Sequence, residues 1–279
     1  MSVEIQARQA GLREIQPGIE SMSRSALKRM RKGVTPLQNV QLLKWCKQFG
    51  ILPIWYYLYG MPGELPGEYE EGLRILEAIP HLTPPARISR VRIDRYSLLQ
   101  MRPEDYGLRN LRPSPMYDLV YAGLDKSAIP GLAYYFNAEF EAEEAIASRS
   151  AGLQAAVTRW AEAAESAALF SFDEPGRFVV CDLRPQAMKP VYSLSGLERR
   201  VYEACEEIRS RAALKERLRA ETGAEMTEGD MDEVLKPLLE ARLLLEEKDQ
   251  LLSLAIPLGF DYFPPEPVWS RLPEILKAL

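Results

Sequence analysis

The short apolar run from Ile51 to Tyr59, ILPIWYYLY, constrains the fold more than any other feature of the sequence. It is too short for a buried helix, is rich in aromatic residues, and lies between Gly50 and Gly60. These properties predict a strand that is covered on both faces. Strands covered in this way belong to parallel sheets, whose connections are usually helices. The sequence therefore predicts an α/β protein.

Helices and strands alternate around this run over residues 13–96. Thr35 followed by Pro36 is a helix start signal, because proline loses nothing at a first helical position and the threonine hydroxyl can accept a hydrogen bond from the first turn. The predicted elements are a strand at 13–19, a helix from Ser21 or Ser23 to about Lys32, helices at 36–49 and 66–79, and a strand at 87–96. Right-handed crossovers would place the three strands side by side and parallel, with functional loops at their carboxyl ends. Three strands form only part of a barrel.

The chain beyond residue 97 predicts an irregular connection and then an α+β unit. Many prolines and tyrosines at 97–137 are typical of a long connection that wraps a surface. A helical segment at 138–166 leads to a hairpin of two strands, LFSF and RFVVCDL. From Ser193, three short helices precede two strands that meet at Lys248, which is the element order of a winged helix. We expect a barrel part at 1–97, a connector at 98–167, a hairpin with a winged-helix-like module at 168–256, and a docking tail at 257–279 that contains Phe260, Tyr262, Phe263, Trp269 and Leu272.

The charge of the chain argues against a nucleic-acid or membrane partner. Lys and Arg number 35 and Asp and Glu number 40, for a net charge of −5. Residues 193–256 hold ten Lys/Arg against fifteen Asp/Glu, so this module would repel DNA phosphates. A winged helix of this charge favours binding a peptide at its wing edge, or packing on its neighbour. No apolar stretch approaches the ~18 residues of a membrane helix, and the N-terminus lacks an export signal, so we expect a cytoplasmic protein.

Cysteine and histidine are too scarce and too widely spaced for most metal sites. Cys46, Cys181 and Cys205 match neither a disulfide framework nor a zinc or iron–sulfur ligand set. Cys46 lies on the apolar stripe of the helix at 36–49, which predicts a small core residue. His81 is the only histidine, so a His-based triad has at most one candidate centre.

One long run resembles a known family. IQPGIESMSRSALKRMRKGVTPLQNVQLLKWCKQFGILPIWYYLYGMPGE is similar to the latter half of the radical S-adenosylmethionine barrel in cobalamin-associated maturases of ribosomally made peptides, also described as peptide C-methyltransferases. RISRVRIDRYS, DYGLRNLRP, LAYYF and SGLERRVYEA follow in the same family's order, so the likeness extends to about Ile256. The resemblance implies a partial (β/α) barrel, S-adenosylmethionine, a [4Fe–4S] cluster and cobalamin as cofactors, and a precursor (leader) peptide as partner.

The resemblance also implies roles for residues in two glycine-containing turns, IQPGIES and YGMPGE. In the first turn, Glu20 and Ser21, with Gln16 as a further candidate, would reach the ribose and amino-acid portions of S-adenosylmethionine. A cation on the following helix would face the carboxylate of S-adenosylmethionine. The implied cofactor-binding residues are Gln16, Glu20, Ser21, either Lys28 or Arg31, and, around the adenine, Tyr59, Gly60 and Met61. Arg92, Asp94 and Arg95 would face either substrate or solvent.

The sequence departs from this family in one essential respect. The CxxxCxxC motif that would hold the cluster does not occur. Met1 also falls in the middle of what resembles a βα unit, so we expect a gene fragment, a mispredicted start, or half of a split enzyme completed by a separate chain that carries the cluster and cobalamin domains. Alone, such a chain would be inactive, and the strand at 13–19 would expose an unpaired edge. The alternative is a non-catalytic adaptor that binds a leader peptide through its winged-helix module.

Overall fold

The computed structural model describes residues 3–223, 225, 227–259, 262–275 and 277. Its N-terminal part is built of short parallel strands and helices. The elements are α1 (Val3–Gln9), β1 (Glu14–Ile15), α2 (Arg24–Arg29), α3 (Pro36–Gln48), β2 (Leu52–Pro53), β3 (Tyr56–Tyr59), α4 (Pro66–Leu76) and β4 (Arg87–Arg90). Helix α3 begins as predicted: Thr35 and Gln38 form a reciprocal capping box, with Pro36 in the first turn.

The three strand regions lie side by side and parallel, as predicted. Glu14 of β1 lies opposite Leu52 of β2, and Tyr56 of β3 lies opposite Arg87 of β4. A parallel bridge between Glu20 and Tyr57 extends the pairing of the first strand region with the second. No described strand pairs with the other side of β1, so β1 is an edge.

The prediction that residues 51–59 are covered on both faces was wrong. Trp55 and Tyr57 are buried, but Leu52 is 51% exposed and Tyr56 is 40% exposed. Side chains alternate between the faces of a strand; Trp55 and Tyr57 pack in the main core, whereas Leu52 and Tyr56 lie on the other face. An aromatic-rich run does not reveal from composition alone that half of its side chains face an open side.

The strand predicted at 87–96 is split, and the connector after it is more ordered than predicted. Beyond β4 the chain bends and enters a second sheet, in which β7 pairs antiparallel with both β5 and β6. The elements here are β5 (Ile93–Asp94), α5 (Leu98–Met101), β6 (Arg109–Pro113), α6 (Met116–Val120), α7 (Ile129–Leu132), β7 (Tyr135–Glu139) and α8 (Glu143–Ala163), with 3-10 turns at Pro103–Tyr106 and Lys126–Ala128. These strands are short and carry many polar residues, so period-2 hydrophobicity does not mark them.

The C-terminal part contains the predicted hairpin and then the predicted succession of helices and strands. The elements are β8 (Leu169–Glu174), β9 (Arg177–Asp182), β10 (Val191–Leu194), α9 (Gly196–Ala204), β11 (Arg209–Ser210), α10 (Arg211–Thr222), α11 (Glu228–Glu240), β12 (Leu244–Glu247), β13 (Gln250–Ser253), β14 (Ile256–Pro257), α12 (Glu266–Trp269) and α13 (Leu272–Ile275). One sheet has the order β10-β9-β8-β14 and the other β11-β13-β12. Strands β10, β11 and β14 were not predicted as separate elements.

A continuous hydrophobic core joins the N-terminal and C-terminal parts. Trp55 on the parallel sheet packs against Trp160 of α8, with ring centroids 5.8 Å apart, and the same cluster continues through Val201 of α9 to Leu252 of β13. A buried ion pair also lies at this joint. Arg184 is ion-paired with Asp182 at 2.6 Å, with both side chains fully buried, and Arg184 also donates to backbone carbonyls of Ala78 and Arg242.

The tail after β14 also contacts the body of the chain. Tyr262 and Val268 are buried in the main core, and Leu272 packs against it. Phe263 stays 64% exposed and lies edge-on to Trp269 at 6.1 Å. Phe260 lies outside the described residues. None of the helices in the described part of the chain is long and apolar enough to cross a membrane.

Candidate functional site

The open face of the parallel sheet forms the candidate site. Alternate residues of the three strand regions line a cavity of about 690 Å³, which extends to the bend between β4 and β5. Its lining residues are Gln16, Pro17, Gly18 and Glu20 from the first strand region, Tyr56 and Leu58 from β3, and Arg87, Ser89, Arg90, Val91, Arg92 and Asp94 from β4 and beyond. The size is that of a small-molecule site.

Alternation along the strands explains why this face is polar. Ile19 and Tyr57 point to the opposite face, where they are 1% and 2% exposed and pack with helix residues such as Leu37. Burial against helices requires apolar side chains on that face only. The open face is therefore able to carry charged residues such as Glu20 and Arg87.

Glu20 is the most unusual residue of the cavity. Its φ is 57°, in the left-handed region that non-glycine residues seldom adopt. Its carboxylate pairs with the Lys32 ammonium, with Nζ 2.5 Å from Oε1. Gly18 lies beside this pair, since a Cβ at Gly18 would come within 3.4 Å of the Lys32 nitrogen. Strain of this kind costs on the order of 1–3 kcal/mol and persists where the surrounding structure holds it, which is common at binding sites.

The structure separates the residues predicted in the first turn. Gln16 and Glu20 line the cavity. Ser21 is only 2% exposed, and its hydroxyl oxygen accepts from the Ser23 amide at 3.1 Å, so it does not line the cavity. Lys28 and Arg31 are exposed, and Arg31 pairs with Asp105 at 3.2 Å. Glu20 pairs with Lys32, which was not one of the cations predicted to face the carboxylate of S-adenosylmethionine.

Tyr59, Gly60 and Met61, which were predicted to lie around the adenine, belong to the end of β3 and the turn that follows it. The Gly60 amide donates to Glu64 Oε2 at 2.9 Å and to the Tyr69 hydroxyl at 3.0 Å, and burial raises the pKa of Glu64. Met61 is buried with the residues of the second sheet, and Tyr59 packs against the main core. None of the three lines the cavity of the open face.

Sequence reasoning missed six cavity residues on the second and third strand regions: Tyr56, Leu58, Arg87, Ser89, Arg90 and Val91. Tyr56 and Arg87 are register partners on neighbouring strands, so an exposed ring and an exposed guanidinium lie side by side. No described carboxylate forms an ion pair with Arg87, although Arg92 in the same cavity pairs with Asp94 at 2.6 Å. Two features together would have identified these residues. The even-numbered side chains of β3 share one face, and the register between β3 and β4 places Arg87 opposite Tyr56 and Ser89 opposite Leu58.

The donor set does not fit an iron–sulfur cluster. All three cysteines are buried, and burial raises the pKa of both Cys181 and Cys205 to about 12, which keeps these two as thiols. Among the described residues there is no group of three or more His, Cys, Asp or Glu side chains that could hold a metal ion. His81 is 1% exposed, with Nε2 3.0 Å from the Leu254 carbonyl oxygen, and burial lowers its pKa.

The open face fits a polar nucleoside ligand better. Carboxylate, amide, hydroxyl and guanidinium groups there face one cavity together with an aromatic ring. These groups suit the hydroxyls, ammonium and carboxylate of S-adenosylmethionine, and the Tyr56 ring offers a flat contact for a base.

A second region with binding potential lies on the C-terminal part. Strand β12 pairs only with β13 among the described strands, and a groove of about 360 Å³ lies along it, between Leu239 of α11 and Arg74 of α4. Another groove of about 580 Å³ follows the other side of α11, where Arg211 pairs with Asp232. An edge strand beside a groove is a place where an extended peptide can add a strand.

Comparisons with known proteins give a distant likeness to one solved structure. No protein-family model matches the chain, and no curated protein matches it. A solved structure of the cobalamin-dependent S-adenosylmethionine radical enzyme OxsB with aqua-cobalamin bound is similar to 53% of this chain at 17% identity and a TM-score of 0.37. The match spans 24% of that enzyme's length. A likeness at this TM-score does not establish a shared fold.

Proposed function

We propose that the chain is the C-terminal part of a radical S-adenosylmethionine enzyme that C-methylates a ribosomally made precursor peptide. The open face of the parallel sheet holds the nucleoside cofactor, and the C-terminal module, which has the element order and sheet order of a winged helix, binds the peptide. The observation that carries this proposal is a parallel sheet with helices on one face and a polar cavity on the other. We expect the protein in the cytoplasm.

The physical argument starts from the rarity of such a sheet. Parallel sheets are almost always covered on both faces, either by helices or by closure into a barrel. Here the outer face is apolar and covered, whereas the inner face carries Gln16, Glu20 and Arg87. This pattern supports the proposal that the sheet is one wall of a barrel whose interior holds a ligand. The edge at β1 is where further strands, supplied by another part of the enzyme, would pair.

Each polar group of the open face has a role in this proposal. Glu20, held by Lys32, accepts hydrogen bonds from the ribose hydroxyls or the ammonium group, and Gln16 assists it. Arg87 receives the carboxylate in place of Lys28 or Arg31, because it is the cation that faces the cavity without a carboxylate partner among the described residues. Tyr56 lies against the base. When bound in a complete enzyme, S-adenosylmethionine supplies the radical and a methyl group.

The cluster and the cobalamin would come from elsewhere in the enzyme. Three buried thiols that do not converge cannot chelate an iron–sulfur cluster. We therefore assign the cluster and cobalamin to a separate chain or a further region. Incubating the chain with iron and sulfide under reducing, anaerobic conditions should give no absorption band of a [4Fe–4S] cluster, and a stable brown holoprotein would contradict this assignment.

Cofactor binding can be tested on the chain as it exists. Calorimetric titration with S-adenosylhomocysteine, a stable analogue, should give one site per chain, and Glu20→Gln should weaken it roughly tenfold through loss of a charge-assisted hydrogen bond. Glu216→Gln, the same change at an exposed position of α10, is the control and should bind like wild type. Absence of binding by the wild-type chain, or equal loss in both variants, would refute the cofactor site.

A second candidate function rests on the groove beside β12. A non-catalytic adaptor would use only this edge strand and the groove to hold a leader peptide. Titrating the full chain with a fluorescein-labelled precursor peptide encoded beside it separates the two functions. Peptide binding without S-adenosylhomocysteine binding supports the adaptor, and S-adenosylhomocysteine binding without peptide binding removes it.

A further inference from the structure

An arginine-rich sheet face adjoins the candidate site. Residues 87–112 contain seven arginines and three acidic residues, a net charge of +4 in a chain whose total is −5. These residues span β4, β5, α5, the 3-10 turn at Pro103–Tyr106 and most of β6. Cationic residues are therefore concentrated in one short part of an acidic protein, which calls for a reason other than solubility.

The strand register places three of these arginines on one exposed face of the sheet β5-β7-β6. Asp94 lies opposite Tyr135 in the strand register, and Arg112 lies opposite Asn137, so the side chains of all four share a face. Arg92, two residues before Asp94, lies on the same face by alternation. Arg109 lies opposite Glu139 in the strand register, and Glu139 is two residues further along the same face of β7. The opposite face is buried, as the paired residues Ile93 and Phe136 demonstrate. We call the exposed side, defined by Arg92, Asp94, Arg109, Arg112, Tyr135, Asn137 and Glu139, the arginine face.

The two carboxylates of the arginine face are already engaged, whereas two of its arginines are not. Asp94 pairs with Arg92, whose guanidinium also lies 4.2 Å from the Tyr135 ring centroid. The Glu139 carboxylate accepts from the Asn110 side-chain amide at 2.8 Å. Neither Arg109 nor Arg112 forms an ion pair with any residue that the structure describes, and both are exposed. The face thus presents unpaired guanidinium groups.

The spacing of these groups fits an extended acidic chain better than a single phosphate. Arg92, just before β5, and the two arginines of β6 are separated by two strand spacings, ~10 Å, and do not converge on one point. A phosphate group requires converging donors. Carboxylates on alternate residues of an extended peptide are ~7 Å apart, so successive side chains can reach different arginines, while Tyr135 and Asn137 offer hydrogen bonds between them.

The arginine face leads into the candidate site. A cavity of about 520 Å³ contains Arg109 and Asn137, and it shares Arg90, Val91 and Arg92 with the cavity of the open face. A chain bound along the arginine face therefore runs toward Glu20 and Arg87. We propose that the arginine face binds an acidic segment of the substrate peptide. The identity of the bound peptide as substrate rests on the proposed function, but the binding itself does not.

Fluorescence anisotropy with fluorescein-labelled hexaglutamate tests the proposal on the full chain. Hexaglutamate should bind, more weakly at 200 mM than at 50 mM NaCl, whereas hexaglutamine and hexalysine should not. The double variant Arg109→Gln with Arg112→Gln should weaken hexaglutamate roughly tenfold. The matched control, Arg159→Gln with Arg271→Gln, removes two exposed arginines that lie on other elements and should stay within about twofold of wild type.

Several results would overturn the proposal: no binding of hexaglutamate, equal binding of hexalysine, equal loss in both double variants, or binding of inorganic phosphate without hexaglutamate. Titration of the same variants with S-adenosylhomocysteine separates this inference from the proposed function. If the analogue binds and hexaglutamate does not, the arginine face is wrong and the cofactor site stands. If hexaglutamate alone binds, the arginine face stands and the cofactor site is wrong.

Discussion

Lys44 provides the sharpest test of how the two parts of the chain are joined. It lies on α3, is 1% exposed, and reaches into the C-terminal part. Its ammonium donates to the Ser253 carbonyl at 2.9 Å, the Ser253 hydroxyl at 3.3 Å and the Glu206 carbonyl at 3.2 Å. Because burial removes the charged form from water, it lowers the pKa of Lys44 from 10.5 to about 8.

The sign of the effect on stability follows from proton binding. Between pH 8 and 10.5 the unfolded chain keeps the Lys44 proton while the folded chain has lost it, so the free energy of unfolding rises with pH in this window. The two pKa values give an increase of about 2 kcal/mol between pH 7 and 9.5 from this one group. Below pH 8 both states are protonated, and the contribution is constant.

The assay compares wild type with Lys44→Met by urea unfolding, followed by tryptophan fluorescence at several values between pH 7 and 9.5. The difference in unfolding free energy, wild type minus variant, should grow by about 2 kcal/mol over this range. Lys236→Met, an exposed lysine on α11, should give a difference that does not change with pH. A Lys44→Met difference that is equally flat would refute the reasoning that burial, rather than hydrogen bonding alone, sets the state of Lys44.

Three further predictions concern buried groups. Asp182→Asn, which leaves Arg184 without its charge partner, should lower the free energy of unfolding by about 3–5 kcal/mol in urea titration, and a loss below 1 kcal/mol would contradict it. Gly60→Ala places a Cβ 2.9 Å from a neighbouring methyl group at a φ of 72°, whereas a Cβ at Gly223, which has the same φ, meets nothing within 4 Å. The melting temperature of the protein should therefore fall more in Gly60→Ala than in Gly223→Ala. Equal decreases in the two variants would refute the clash. The thiols, including Cys205 with its pKa near 12, should react with a thiol reagent slowly at pH 8 and rapidly in urea, and rapid reaction of the native chain would refute their burial.

Local sequence signals predicted the elements that local physics decides. Thr35 and Pro36 start α3 because a capping hydroxyl and a fixed proline φ act within one turn. The parallel order of three strand regions followed from helices between them, since short crossovers leave few alternatives. Cys46 was correctly predicted as a core residue, because its place on the apolar stripe of α3 requires only helical periodicity.

The membership of the candidate site depended on contacts that no local signal carries. Glu20 and Gln16 were placed in it by a resemblance, and the structure brings Tyr56 and Arg87 beside them only through strand register. Register is set by pairing between segments that are distant along the chain, so composition and periodicity do not report it. The same holds for β7, which pairs with β5 and β6 and so brings Arg92, just before β5, onto one face with Arg109 and Arg112.

The amino-acid sequence by itself therefore determined the α/β character, the helix starts, the hairpin and the acidic module, because each depends on residues that are neighbours along the chain. Tertiary structure alone decided which face of the parallel sheet is open, that Lys32 pairs with Glu20, and that unpaired arginines share a surface. The physical reason is that side-chain direction alternates with every residue of a strand, so a shift or bend of one position exchanges the buried face for the exposed one.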